Sequence, residues 1–286
     1  MLKMSKRNFT YSFRLLLAFV TLVLLTYCQR VINIDLNSAA PRIVIDALIT
    51  DRPGPYTILI TKSGSYFNQP VLPPVTGAEV TIANDRGTID TLLETKPGLY
   101  MTKNLRGIPG ITYTLKVISD NIEYSGTSIM YSHVRLDSIN LTKSDSFRFG
   151  LGGGANEVKR IDVNCFFKDP EEKNFYRLKV TGSSDTTLGG NYRLYDDQYT
   201  NGQEIELRAA RAKAGDTIKI ELYSLDNSTY GYYRTLEDLL QTNPFFGSTP
   251  ANPNTNLSNG ALGYFGASAV STKTIIITDS LFNSAQ

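Results

Sequence analysis

The sequence predicts a mainly β protein, built from two consecutive antiparallel β-sandwich domains with one helix near the C-terminus. Short runs rich in β-branched and aromatic residues alternate with turns that contain Gly, Pro, Asn or Asp. Only one stretch has clear helical periodicity. The chain has 286 residues, of which 41% are hydrophobic and 20% charged. This length and composition suit one large globular domain or two ordinary ones.

Residues 1–27 have the pattern of a secretory signal peptide. A basic segment ends at Arg14 and is followed by the apolar run Leu15–Leu25. At about 1.5 Å per residue this run covers roughly 17 Å, which is about half of the hydrocarbon core of a bilayer. The pattern therefore favours a cleaved signal over a retained transmembrane helix.

Cys28 follows this leader, three positions after Leu25. The arrangement resembles the lipobox of bacterial lipoproteins, in which the cysteine thiol is diacylated and becomes the new N-terminus. Tyr27 departs from the Gly, Ala or Ser that is usual before the cysteine. We expect Cys28 to be the lipidation site, because two or three acyl chains anchor a protein stably. The alternative is a plain secretory signal, or a buried N-terminal helix, with an incidental cysteine.

Residues 28–40 are predicted to form a polar spacer, and residues 41–132 the first sandwich, Ig-like or transthyretin-like. Alternation is clearest where Tyr113, Leu115 and Val117 share one face. The candidate strands are Arg42–Thr50, Tyr56–Lys62, Glu79–Ala83, Leu99–Thr102, Thr112–Ser119 and Ile122–Met130.

Residues 133–286 are predicted to form the second sandwich. A helix is expected over about residues 229–242, capped by Ser228 or Thr229 and ended by Pro244, and a long loop over 243–265. The candidate strands are Arg160–Phe167, Asn174–Thr181, Gln203–Ala209, Thr217–Ser224 and Ser271–Thr278.

The composition argues against catalytic and nucleic-acid-binding functions. The 29 basic and 27 acidic residues become 25 and 27 once the leader, with four basic residues and no acidic one, is removed. A slightly acidic body does not suit nucleic acid. With one His, two Cys and no Trp, we expect no enzyme, no cofactor and no metal. Cys165 is predicted to be a buried, inert thiol on a strand, without His133 as a catalytic partner.

One turn is a candidate calcium site, because it holds the oxygen-bearing side chains of Asp196, Asp197, Asn201 and Glu204. Calcium needs six to eight oxygen ligands, and a calcium loop of the EF-hand type counted from Asp197 would need an acid at position 208. Arg208 occupies that position. A solvated hairpin turn is therefore the prediction.

Aromatic residues indicate a contact surface. Rigid aromatic side chains are enriched at interfaces, and four of them lie in or at the end of the predicted loop. We expect these four to bind a partner: Phe245, Phe246, Tyr264 and Phe265. Three helix tyrosines, Tyr230, Tyr232 and Tyr233, either join this surface or cover the second sandwich.

Several stretches in order resemble a family of envelope lipoproteins found mainly in the Bacteroidota, known as domain of unknown function 4249. The resemblance implies an outer-membrane-associated lipoprotein, often encoded near TonB-dependent transporters and without an assigned enzymatic activity. The matching stretches are Cys28 with 31–36, then 41–45, 66–67, 75–80, 98–100, 110–113, 167–170, 174–176, 196–197, 215–216 and 259–265.

Residues 77–117 are also similar to the transthyretin-like or carboxypeptidase-regulatory type of sandwich. This similarity rests on a Gly-Ala-x-Val strand, a Gly-x-Tyr strand and a Gly-x-x-Tyr strand in that order. It implies that Tyr100 and Tyr113 pack at sheet corners with their hydroxyls on backbone groups. Modules of this type usually bind or space rather than catalyse.

Together these features predict a lipid-anchored outer-membrane accessory protein, on the periplasmic or the cell-surface side. Its expected partners are the membrane, through the N-terminal lipid, and a β-barrel TonB-dependent transporter that takes up an unidentified nutrient. The alternative is a surface or periplasmic binding protein for a peptide or a glycan, although the lack of Trp disfavours a glycan. A purely structural envelope protein is the third possibility.

Overall fold

The structure is a computed structural model, and it describes residues 40–64, 72–144, 160–182, 192–241 and 251–285. The described part contains fifteen strands and two helices. The strands are β1 Ile43–Thr50, β2 Thr57–Lys62, β3 Glu79–Asn84, β4 Ile89–Thr91, β5 Leu93–Lys96, β6 Leu99–Met101, β7 Thr112–Ser119, β8 Ile122–Ile129, β9 Ser138–Lys143, β10 Ile161–Lys168, β11 Phe175–Thr181, β12 Tyr192–Asp196, β13 Glu204–Ala212, β14 Thr217–Leu225 and β15 Leu262–Ile276; the helices are α1 Asn227–Gln241 and α2 Asp279–Ser284.

The strands form three sheets. The largest has eight strands in the order β12-β11-β14-β15-β1-β2-β6-β5, and the two smaller sheets are β4-β3-β7-β8 and β13-β10-β9. Neighbouring strands are antiparallel except for β1 and β15, which pair in parallel from Val44 opposite Leu262 to Thr50 opposite Ser268. The mainly β, sandwich-like class is therefore confirmed.

Two hydrophobic cores lie on one face of the eight-stranded sheet, each beneath a smaller sheet. The first core joins β1 and β2 to β3 and β7, and the second joins β11 and β14 to β10 and β13. Odd-numbered residues of β15 contribute to both cores, with Phe265 in the first and Ile275 in the second. The two predicted modules thus share a sheet, and Pro41–Gln286 forms one compact unit.

The strand β15 starts earlier than the sequence pattern predicts. The predicted loop extended to residue 265, whereas the strand begins at Leu262. Residues 266–269 read Gly-Ala-Ser-Ala, and such small residues have weak strand propensity. They form a strand here because residues 266–268 pair with β1 and Ala269 pairs with β14. The central position predicted for the Ile275-Ile276 run is wrong: among the described strands the run pairs only with β14, and Ile276 is 59% exposed.

The helix α1 is capped by a residue that precedes both predicted caps. Asp226 accepts hydrogen bonds from the Thr229 backbone N–H at 2.6 Å and from the Ser228 hydroxyl at 2.8 Å. The Ser128 hydroxyl also donates to Asp226. An aspartate at this position satisfies free N–H groups of the first turn. Asp226 therefore ties the start of α1 to strand β8.

The predicted tyrosine corners are present. The Tyr100 hydroxyl donates to the Val75 carbonyl at 2.9 Å and accepts from the Ala78 N–H at 3.0 Å. The Tyr113 hydroxyl accepts from the Ile108 N–H at 2.8 Å. Both rings are fully buried, so these hydroxyls satisfy backbone groups that would otherwise be costly to bury.

Candidate functional site

The helix α1 packs on the face of the eight-stranded sheet opposite the two cores, and the contact is built from tyrosines. Even-numbered residues of β15 point to this face, and α1 contacts β11, β12 and β15. We call the group the tyrosine cluster. Its members are Phe175, Tyr192, Tyr223, Tyr230, Tyr232, Tyr233 and Tyr264.

The rings of the tyrosine cluster contact one another closely. Tyr232 stacks on Tyr264 with ring centroids 4.5 Å apart, and Tyr230 stacks on Phe175 at 4.6 Å. Tyr233 meets Tyr264 edge to face at 5.1 Å. These rings hold the helix on the sheet, so the helix tyrosines cover the sheet as one of the two sequence interpretations expected. Leu240, near the end of α1, takes no part in this contact, because it is 75% exposed.

Arg177 of β11 lies inside the tyrosine cluster. Its guanidinium carbon is 4.3 Å from the centroid of the Tyr223 ring, 4.4 Å from Tyr233 and 6.0 Å from Tyr192. The residue is only 7% exposed, and its Nε has no hydrogen-bond partner. Cations bind well to aromatic faces. Among the described residues no carboxylate forms an ion pair with Arg177; aromatic rings contact its charge directly, and Asp46 attracts it from further away.

Asp46 of β1 borders the tyrosine cluster at Tyr264. It is the register partner of Tyr264. Partial burial raises the pKa of its carboxyl above the ordinary value, while a hydrogen bond with Tyr264 and the charge of Arg177 lower it. Asp46 as a whole remains exposed, so solvent reaches one side of the carboxyl and limits the shift. Asp46 thus places a negative charge at the edge of the cluster.

The phenol groups of the cluster keep their protons at neutral pH and can donate hydrogen bonds. Burial, with a contribution from Asp46, raises the pKa of Tyr232 to about 12. Burial also raises the pKa of Tyr264 well above its usual value. The Tyr233 and Tyr264 hydroxyls lie 2.5 Å apart. The site therefore combines one fixed cation with neutral hydroxyls, an arrangement that favours an anion over a cation.

An aliphatic surface continues from Asp46 across the uncovered end of the same sheet face. The strand register places Leu59 of β2 opposite Asp46 and opposite Leu99 of β6, and it places Met101 opposite Leu93 of β5. Leu59 is 43% exposed and Leu93 is 54% exposed. We call this surface the aliphatic face. It consists of Leu48, Leu59, Leu93, Leu99 and Met101.

The structure places two of the predicted contact residues in the protein interior. Tyr264 is 5% exposed and belongs to the tyrosine cluster, and Phe265 is 0% exposed and belongs to the first core. They lie on β15, not in a loop, which is why they cannot act as an exposed aromatic surface in this conformation. Phe245, Phe246 and Cys28 lie outside the described residues.

The described second half of the predicted loop, residues 251–261, is fastened to the sheets by its polar side chains. The Asn256 amide donates to the Phe265 carbonyl at 2.7 Å and accepts from the Phe265 N–H at 3.0 Å. The Ser258 hydroxyl accepts from the Ser125 N–H at 2.8 Å. Asparagine and serine in this stretch therefore replace strand pairing, although their composition resembles that of a loop.

The acidic turn is structural. Asp197 is 1% exposed and accepts a hydrogen bond from the Asn174 N–H at 2.6 Å, while Asp169 accepts from the Tyr176 hydroxyl at 2.5 Å. The prediction of a hairpin turn holds, but Asp197 is buried rather than solvated. Within the described residues, no group of three or more His, Cys, Asp or Glu side chains is arranged to hold a metal.

The predicted burial of Cys165 on a strand is confirmed. It lies on β10 in the second core with 0% exposure, and burial raises its pKa to about 11. His133 instead faces the carbonyl of Val270, at 3.2 Å. In the described part of the chain, neither helix is long and apolar enough to cross a membrane.

Sequence reasoning did not identify Arg177 or Asp46. Their position in the sequence could have pointed to them, because each is a charged residue with apolar or aromatic neighbours in a strand. The segment Phe175-Tyr-Arg-Leu-Lys-Val180 is an example. Alternation alone assigns such a side chain to the solvent face. Here that face is covered by α1, which the pattern of β11 does not reveal.

Comparison with known proteins shows to which family the chain belongs. No protein of curated function matches the chain in sequence. A family model described as a domain of unknown function (DUF4249) matches residues 29–274. This match includes the strands of both cores, α1, Arg177 and the aliphatic face. The chain belongs to the DUF4249 family.

Proposed function

We propose that this protein is a lipid-anchored accessory protein of the outer membrane that binds a TonB-dependent transporter during uptake of a nutrient yet to be identified. The observation that carries the proposal is the aliphatic face. Exposed apolar patches that are contiguous mark interaction sites more often than scattered apolar residues do. The Bacteroidota envelope and the TonB-dependent partner come from the family resemblance given above.

The sequence before the compact unit supports a membrane anchor. A leader with a short apolar run precedes Cys28, and twelve residues separate Cys28 from Pro41. The first strand begins at Ile43, fifteen positions after Cys28, so the chain between them can extend to at most about 54 Å. If Cys28 carries lipid, β1 begins within that distance of the bilayer surface.

The position of the aliphatic face argues for a partner in the membrane. The face lies on β1, β2, β6 and β5, and β1 is the first strand after the spacer. Leu48 and Asp46 of β1 join the face to the tyrosine cluster. A lipid tether therefore keeps this surface close to integral membrane proteins, which raises its effective concentration toward them.

Affinity purification tests the proposed docking. The full chain, tagged at its C-terminus, should recover a β-barrel transporter from outer membranes solubilised in mild detergent. Leu59→Lys places a charge at the centre of the aliphatic face and should abolish recovery. Ile89→Lys is the matched control, because Ile89 is 66% exposed on β4 of a different sheet. Recovery of the bait alone, or equal loss with both variants, would reject the proposal.

Metabolic labelling tests the anchor separately. Cells given labelled palmitate should incorporate the label into the wild-type chain and not into Cys28→Ser. The variant should also leave the membrane fraction, since an unacylated chain lacks the anchor. A Cys28→Ser chain that keeps the label and stays in membranes would contradict a lipoprotein.

The second candidate function is a peptide-binding or glycan-binding protein. Arg177 is the observation that favours it, because a nearly buried guanidinium with an unpartnered Nε is a feature of anion recognition. This candidate does not require the aliphatic face. It is developed below.

A further inference from the structure

We infer that Arg177 and the tyrosines around it form a binding site for the carboxylate of a small ligand, such as the free C-terminus of a peptide. This goes beyond transporter docking, because the site is enclosed between α1 and the sheet and not on the aliphatic face. It would make the protein a carrier of a ligand as well as a partner.

The first argument is that Arg177 carries a buried charge without a carboxylate partner among the described residues. Arg177 is 93% buried, and no carboxylate among the described residues lies within ion-pair distance of its guanidinium. Buried cations are otherwise paired or hydrogen-bonded, because desolvation of an unpaired charge is costly. The Nε of Arg177 has no hydrogen-bond partner, so the aromatic rings do not satisfy all of the hydrogen-bond donors of the guanidinium.

The second argument is geometric. Aromatic rings that stack on a guanidinium occupy its faces and leave its N–H edge available. Tyr223 and Tyr233 are at nearly equal distances from the guanidinium carbon, 4.3 and 4.4 Å. The N–H edge of a guanidinium matches the two oxygens of a carboxylate. A structural role alone, in which Arg177 only holds α1 to the sheet, would leave that edge unused.

The third argument concerns the charge of the ligand. Asp46 borders the cluster, and its charge interacts with Arg177, Tyr232 and Tyr264. A carboxylate with one negative charge suffers less repulsion from Asp46 than a phosphate with two. The neutral phenol groups supply further hydrogen-bond donors to a carboxylate oxygen. The arrangement therefore selects a carboxylate over a phosphate.

N-acetylglycine is the probe, because it presents the free carboxylate of a peptide C-terminus next to one amide bond. N-acetylglycinamide is the matched control, since it has the same size without the charge. The chain has 17 tyrosines and no Trp, so its intrinsic fluorescence reports on tyrosine. The full chain in mild detergent should show a saturable fluorescence change with N-acetylglycine and none with the amide. Inorganic phosphate should bind more weakly than N-acetylglycine.

Arg177→Lys keeps the charge but removes the planar fork, and it should weaken binding of N-acetylglycine by about tenfold or more. Tyr192→Leu removes the most distant of the three rings and serves as the second variant if Arg177→Lys does not fold; it should weaken binding severalfold. The proposal is overturned by no saturable response to N-acetylglycine, by an equal response to the amide, by phosphate binding at least as tightly, or by unchanged affinity in the folded variant.

The outcome is independent of transporter docking. Leu93→Lys alters the aliphatic face on β5, three strands away from Asp46 on β1, so it should bind N-acetylglycine like the wild type. A chain that binds N-acetylglycine yet recovers no transporter would keep this inference and reject the docking proposal. The reverse result would reject this inference alone.

Discussion

The hydroxyl of Tyr233 on α1 lies 2.5 Å from the hydroxyl of Tyr264 on β15. This bond joins the helix to the central strand of the largest sheet. Both side chains are nearly fully buried, so loss of one hydroxyl leaves the other without this partner. A buried polar group that loses its partner costs about 1–3 kcal/mol.

A double-mutant cycle measures this bond. Tyr233→Phe and Tyr264→Phe should each lower the free energy of unfolding by about 1–2 kcal/mol. The double variant should lose less than the sum of the two, because neither orphaned hydroxyl remains. Urea unfolding followed by circular dichroism provides the values. Strict additivity of the two losses would show that the hydroxyls do not interact.

Gly263 is required by the pairing of β15 with β1. Its φ is +89°, and a Cβ at this position would lie 2.0 Å from the Ile45 carbonyl oxygen. Gly263→Ala should therefore combine backbone strain with a clash against the neighbouring strand. We expect a loss of stability of about 4 kcal/mol or more, a size that point mutations reach only through such mechanisms.

Gly87→Ala is the control for that prediction. Gly87 has a similar φ of +84°, but nothing lies within 4 Å of a Cβ there. It should lose only the cost of the left-handed conformation, about 1–2 kcal/mol. The difference between the two variants, measured by thermal unfolding, isolates the clash. Equal losses would mean that β15 can move away from β1.

The strands that sequence reasoning predicted well are those with local alternation. The predicted bounds of β7 agree with the structure, Thr112–Ser119, because side chains that alternate between core and solvent leave a clear pattern. The beginning of β15 was missed for the opposite reason. Its small residues become a strand only through pairing with β1, more than 200 positions earlier in the chain, and no local pattern records that pairing.

The candidate site was hardest to predict, because its members come from separate elements. Arg177 is on β11, Asp46 on β1 and Tyr233 on α1. Each residue has an ordinary local context, and the buried position of Arg177 arises only when α1 packs over the sheet. The tyrosine corners were accessible from sequence, since Tyr100 and Tyr113 bond to backbone groups within about 25 positions.

Cys165 should be unreactive in the folded protein. Its thiol is buried in the second core and has a pKa of about 11, and the thiolate is the species that reacts. In the full chain with Cys28→Ser, Ellman's reagent at pH 8 should detect no thiol until denaturant is added, and then one per chain. Rapid reaction of the folded chain would show that β10 opens readily.

Asp46 should make stability depend on pH. Partial burial raises its folded-state pKa above the ordinary value of 3.8, so the folded state holds the proton more tightly than the unfolded state does. Asp46 therefore contributes fully to the free energy of unfolding below its pKa in the unfolded chain, and this contribution is lost as pH rises through its pKa in the folded protein. Above the folded-state pKa the ionised carboxylate lowers the stability of the fold, and this loss is small because solvent reaches the side chain.

Asp46→Asn removes this titration. We expect the variant and the wild type to have similar melting temperatures at about pH 3, where the carboxyl is protonated in both states. At pH 7 the variant should melt higher, because it lacks the ionised group beside the tyrosine cluster. Asp120→Asn is the control, since Asp120 is exposed in a turn far along the chain from the tyrosine cluster. A variant that melts lower than the wild type at pH 7 would show that the attraction between Asp46 and Arg177 outweighs the cost of burial.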